Sequence, residues 1–262
     1  MRWWPGLGLL LMLGLAHTAL AHELSPDQLA TVGFDQRPGQ SVPLDLTFLD
    51  DRGQPVTLGQ YFQHGPVVLT LNQLHCKNLC PVELEGLING LNGVPFALGQ
   101  QFTLVTVSID PRETPEDAAD AKARGIRGYA KKEGSTGWHV LTGDQASIDS
   151  LEQAVGFKAV YDAEEEEFAH PAGVILLTPA GQISRYIYGI DFSSSDLRLG
   201  LTEAGSGSVG SLVDRALLVC YHYDPLTGRY TPLVVGLMQG GAAAGVLGLG
   251  GLLAWLIYRS RS

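Results

Sequence analysis

The sequence predicts an α/β domain with a partly parallel central sheet and helices on its faces. Three observations carry that expectation. The continuous apolar run PVVLTLNQL (66–74) has the character of a buried central strand. Strand-like and helix-like segments then alternate, which requires crossover connections. The last pair of strand-like runs is joined by the short turn TPAGQ (178–182), giving a hairpin and hence some antiparallel pairing.

Taken in order, LDLTFLD and PVTL flank the turn DRGQ as a short hairpin, and the buried run 66–74 follows. Pro81 suits the first turn of a helix that continues with Val82, Leu84, Leu87, Ile88 and Leu91 at helical spacing. FTLVTVSI is a second central strand. Thr114 and Asp117 have capping-box spacing before an alanine-rich helix. WHVL is a short strand, and Asp144 caps a helix over DQASIDSLEQAVGF. The hairpin GVILLTPAGQISRYIYG and a closing helix over SSSDLRLGLTEA complete the domain. This order is that of a thioredoxin-like fold, with a central mixed sheet flanked by helices.

Two terminal segments stand apart from the globule. The apolar run LGLLLMLGLA after Arg2, with Ala19 and Ala21 before His22, has the form of a cleaved secretory signal over 1–21. Residues 233–258 carry no ionisable charge, are long enough to cross a bilayer, and precede Arg259 and Arg261. The expected organisation is a signal peptide (1–21), a flexible leader (22–39), a domain over 40–204, a juxtamembrane segment (205–232), a transmembrane helix (233–258) and a cytoplasmic tail (259–262). The domain is then extracytoplasmic, on the periplasmic side of a bacterial inner membrane. Gly236 and Gly240, or Gly241 and Gly245, have small-xxx-small spacing, which is also common in isolated spans.

The net charge of −10 excludes a phosphate-tracking nucleic-acid binder, which needs a basic face. Only three cysteines occur, too few for a disulfide scaffold, and an odd number leaves one thiol unpaired or committed to chemistry. Two of them, Cys76 and Cys80, sit in QLHCKNLCP, between a central strand and the helix after it. Functional groups collect beyond the carboxyl ends of strands in open α/β sheets, and a helix N-terminus favours thiolate. Residues four apart on a helix have Cβ atoms about 5–6 Å apart, wider than the roughly 3.8 Å of a relaxed disulfide. A structural disulfide, a redox pair and two legs of a metal site all remain open, the wider bite suiting two sulfurs around one soft ion, copper or zinc.

A third ligand has to come from another loop at the same end of the sheet. His139 in WHVL reads as a packed strand residue, His64 as a loop residue, and His75 as pointing away from its neighbour Cys76. His170, just before the hairpin, is the candidate, set against an ordinary surface-loop role. The run Glu164 to Glu167 reads as a solvated tip, or as a local negative field that draws a cation or a basic partner. Cys220 and His222 would share a face if extended, either as an auxiliary metal site or as a half-buried strand with a free thiol.

The segments HCKNLCP, VSIDPRETPED, WHVLTGDQASIDSLEQAVGF and AHPAGVILLTPAGQISRYIYGIDF together resemble the SCO/SenC family of membrane-tethered, thioredoxin-fold copper chaperones for cytochrome c oxidase. The resemblance implies copper as the bound metal, with Cys76, Cys80 and His170 as its ligands, and the copper-bearing subunit of the oxidase as partner. This chain has Lys77 where members commonly have proline, and Ala169 where they commonly have aspartate. Those departures bear on loop rigidity and on ring orientation, and give weight to the alternatives: a thiol-disulfide oxidoreductase in which Cys76 attacks and Cys80 resolves, or a copper or redox sensor.

Overall fold

Every side chain of the central run is buried, Val67–Asn72, and it is the strand around which the rest is ordered. A computed structural model describes residues 25–131 and 136–209, with the backbone pairing of 223–224 and 229–230. In chain order the elements are α1 (Pro26–Leu29), β1 (Gly33–Phe34), β2 (Thr47–Leu49), β3 (Pro55–Thr57), a 3-10 turn (Leu58–Phe62), β4 (Val67–Asn72), α2 (Cys80–Asn92) and β5 (Thr103–Ser108). Then come α3 (Pro115–Ile126), β6 (Trp138–Leu141), α4 (Gln145–Val155), β7 (Phe157–Lys158), β8 (Val160–Asp162), β9 (Glu167–Ala169), β10 (Gly173–Leu177), β11 (Ile183–Tyr188) and α5 (Ser194–Gly205).

The main sheet has the order β11-β10-β4-β5-β6. β4, β5 and β6 are parallel, while β10 runs antiparallel to both β4 and β11. This is the mixed, thioredoxin-like α/β architecture expected from the sequence. Strand alternation divides β4 between two cores. Leu69 and Leu71 join Val105, Phe48, Ile148 and Leu151 on one face. Val68 joins Leu104, Ile88, Leu91, Leu197 and Leu201 on the other. Thr70 faces that second side but stays satisfied, its hydroxyl bonding Thr106 Oγ1 at 2.9 Å, which also accepts from the Trp138 indole at 3.1 Å.

The local signals act as read. Thr114 and Asp117 form a reciprocal capping box at α3, and Asp144 accepts the Ser147 N–H at the start of α4. Gly86 of α2 allows close approach to the chain after β11: a Cβ there would lie 1.9 Å from the Ile190 carbonyl oxygen. Part of the segment read as a flexible leader, 22–39, packs on the domain. β1 pairs with β7, and Phe34 meets Phe157, Tyr186 and Tyr188 edge-on or tilted at 5.4–5.5 Å between ring centroids. Among the described residues no helix is long and apolar enough to cross a membrane. The signal (1–21), the span (233–258), Cys220 and His222 lie outside the described residues.

Candidate metal and thiol site

β4 ends at Asn72, and the chain turns through Gln73, Leu74 and His75 before Cys80 opens α2. The turn is held from within by a buried carboxylate. Glu113 Oε2 and Oε1 accept the backbone N–H groups of Leu74 (2.9 Å) and His75 (2.8 Å), and Ser108 Oγ at the end of β5 donates to Oε2 at 2.5 Å. Gln73, 5 % exposed, donates to Asp110 and to the Glu166 carbonyl and accepts the Phe168 N–H at 3.0 Å, joining the turn to the β8–β9 hairpin. Asp110 is chelated by the Arg112 guanidinium, which also donates to the Tyr161 hydroxyl and lies over its ring. Burial of Asp110 raises its pKa, but the Arg112 hydrogen bonds and charge more than offset this and leave the carboxyl below its ordinary range.

The β8–β9 hairpin leads straight into His170. Its Nε2 lies 3.2 Å from Cys80 Sγ, across 90 residues of sequence. Nδ1 faces the Pro171 carbonyl at 3.1 Å, which fits a proton on Nδ1 and a lone pair aimed at the sulfur. Burial lowers the His170 pKa, which favours that neutral, ligand-competent ring. Cys80 is buried, and its pKa is pushed up chiefly by desolvation, then by hydrogen bonding with the Cys76 thiol. Cys76 is half-exposed, and both thiols are free. The structure therefore brings Cys80 and His170 into contact with Cys76 beside them. Among the described residues no three His, Cys, Asp or Glu side chains converge as a set able to hold an ion.

The difference in exposure sets a difference in reactivity. Cys76 is expected to react with a maleimide at least about tenfold faster than Cys80, since access and thiolate fraction govern the rate. Mass mapping after brief labelling of the reduced protein checks this; equal labelling would contradict the burial of Cys80.

The other described histidines stand apart. His139 packs on Tyr61 at 4.4 Å between ring centroids, and burial lowers its pKa to about 4. His75 turns away from the thiols toward Glu113 and Asp117, 3.5 and 3.2 Å from its two ring nitrogens. His64 is exposed before β4. Of the acidic run, Glu164 to Glu166 are exposed at the hairpin tip, but Glu167 behaves differently. Its carboxylate accepts the Lys77 N–H at 3.0 Å and the Asn78 side-chain amide at 2.6 Å, with Cys76 Sγ at 4.0 Å. Sequence reasoning treated the four glutamates alike. The phase of β9, which turns Glu167 back toward the cysteine loop, is what separates them.

Glu83, one turn into α2, carries no sequence signal that sets it apart. It is 2 % exposed, accepts the Gly173 N–H at 2.8 Å, and meets the Asn72 amide at 3.0 Å when that group presents its nitrogen. Burial raises its pKa to about 7. Behind the thiols, a cavity of about 340 Å³ runs between α2, α3 and the sheet, floored by Leu84, Ile88, Trp138 and Val140, with Cys76 and Cys80 on its lining.

The family profile described as SCO1/SenC matches residues 35–197. No curated protein sequence matches the chain. An Aquifex aeolicus VF5 protein ascribed to electron transfer is 25% identical, with 66% of this chain and 96% of that one covered at a TM-score of 0.58. A SCO1/SenC family lipoprotein from Bacillus anthracis str. Ames shares the fold at 16% identity, covering 64% of this chain and 97% of its own with a TM-score of 0.53. Arabidopsis thaliana ScoI, solved with copper bound, is 21% identical over 63% of this chain and 96% of its own, TM-score 0.49.

Proposed function

Because the chain belongs to the SCO1/SenC family, we propose that it is a copper-handling metallochaperone whose cargo ion is taken by Cys76, Cys80 and His170. The observation that carries this reading is the 3.2 Å contact between Cys80 Sγ and His170 Nε2, made between residues 90 apart, with the second cysteine of the pair adjacent. Two thiolates and a neutral imidazole are a soft donor set suited to monovalent copper. Loading displaces the proton of each thiol, and the metal repays the desolvation that disfavours the Cys80 thiolate. A disulfide between Cys76 and Cys80 occupies both sulfurs, so the redox state of the pair gates loading and release.

By family, the recipient is the copper centre of a cytochrome c oxidase subunit. Residues 233–258 tether the domain on the extracytoplasmic face, and tethering in the client's membrane raises the effective concentration of both. The acidic tip of the β8–β9 hairpin, beside the cysteine loop, favours a client with a basic surface near its copper site.

A specific observation favours a second activity of the same pair. Half-exposed Cys76 backed by buried Cys80 is the arrangement of an attacking and a resolving thiol. The Cys76 thiolate attacks a client disulfide, forming a mixed disulfide and releasing one client thiolate. Cys80 then loses its proton and displaces the other, leaving the client reduced and this pair oxidised.

Measuring copper bound by the reduced protein and by its disulfide form tests the chaperone reading. One ion per reduced chain and none in the disulfide form is the expected result. Equal binding by both forms would refute it.

A further inference from the structure

The Cys80–His170 contact is bracketed by two carboxylates in reciprocal positions. Glu83, three residues after Cys80, accepts the N–H of Gly173, three residues after His170. Glu167, three residues before His170, accepts the N–H of Lys77, three residues before Cys80, with the Asn78 amide on its other oxygen. Each arm of the site thus carries one glutamate that grips the backbone of the other arm, on either side of the sulfur and the ring. Cys76 adjoins the bracket, its Sγ 4.0 Å from the Glu167 carboxylate. In the ring's own surroundings, His170 Nδ1 meets only a backbone carbonyl and the residue before it is Ala169, so no neighbouring carboxylate orients it.

We propose that Glu83 and Glu167 are paired positioning residues that hold Cys80 and His170 together as the fixed half of the site, with Glu167 also facing the Cys76 thiol. The inference rests on the copper reading for its purpose, though not for its geometry. The two clasps differ in setting. Glu83 is buried, where an accepted N–H bond is strong and its loss leaves the Gly173 amide unpaired. Glu167 is half-buried and holds a loop that has no strand or helix of its own. Each backbone clasp uses one acceptor oxygen, so a glutamine retains it, its NH2 meeting Asn78 once that exposed amide turns round, and an alanine does not. The Glu167 carboxylate also faces the reduced Cys76 thiol at 4.0 Å, a contact that a disulfide gives up.

The test uses the full-length protein and the variants Glu167→Ala, Glu167→Gln, Glu83→Asp and Glu83→Gln. Three properties are read: copper affinity of the reduced form, the equilibrium constant of the Cys76–Cys80 pair against a glutathione buffer, and hydrogen exchange of peptides covering 74–80 and 171–177. Glu167→Ala and Glu83→Asp, which shortens the reach without removing the buried carboxyl, are each expected to weaken copper binding about tenfold or more, the range for partners that orient metal ligands. Glu167→Ala also shifts the thiol pair roughly tenfold toward the disulfide, because the reduced Cys76 thiol loses the carboxylate it faces. Exchange rises in those two peptides alone, and both glutamine variants stay near wild type. Copper affinity and thiol equilibrium within about twofold of wild type in Glu167→Ala and Glu83→Asp, or equal losses in the glutamine variants, would overturn the proposal. Wild-type protein that binds no copper would instead sink the chaperone reading, while the thiol equilibrium and exchange still decide the clasps.

Discussion

Replacing His170 with alanine is expected to weaken copper binding by the reduced protein by roughly 100-fold or more, beyond the range for losing a partner that merely orients a ligand. Among the described histidines, His170 is the one that meets a cysteine sulfur: His75 points toward Glu113 and Asp117, and His139 is packed against Tyr61. Thiol exchange should be largely retained, since the attacking sulfur of Cys76 does not touch the ring and is held near Glu167 instead. Titration of copper against a chromophoric competitor, paired with a disulfide-reduction assay on the same protein, reads both outcomes. A variant with unchanged copper affinity would remove His170 from the ligand set.

The second large effect is on stability and its pH dependence. The folded pKa of Glu83 is about 7, raised by burial above its ordinary value. The native state therefore binds a proton more tightly than the unfolded chain, and the contribution falls as pH rises from about 4.5 to about 7. The whole shift corresponds to roughly 3 kcal/mol. His139 works in the opposite sense: burial lowers its pKa to about 4, so its contribution is lost as pH falls from about 6.5 toward 4. The two slopes oppose one another in the overlapping window. Glu83→Gln removes one share of the falling limb, half-buried Glu152, also raised to about 7, keeping another, so the variant's unfolding free energy relative to wild type should rise with pH between about 4.5 and 7. Denaturant melts across that range check it. Parallel wild-type and variant profiles would show that Glu83 does not carry the burdened proton.

Much of this fold is legible in the chain because its signals are local. The apolar run at 67–72, the Thr114–Asp117 box and the Asp144 cap each dictate an element without help from distant residues. The thiol pair was equally visible, since strand, turn and helix put Cys80 at a helix mouth. His170 is a candidate from its place just before the hairpin, but only the resemblance sets it above an ordinary surface-loop histidine. Glu83 and Glu167 were hidden for a different reason. A glutamate at an exposed-looking helix position, or within a run of four, has no sequence signature for gripping an amide 90 residues away. The docking of Phe34 was hidden likewise, as its aromatic partners come from two later strands.

The insertion of β10 between β4 and β11 has a consequence for the birth of the molecule. Ribosomes deliver the dithiol long before the imidazole that shelters one of its sulfurs, and β4 cannot acquire its antiparallel neighbour until residues 173–177 have been made. Such late-closing pairings are slow to form. For that interval the nascent polypeptide carries two naked thiols that any oxidant can couple, so newly made protein should arrive partly as a dead-end disulfide unless a reductant attends its maturation.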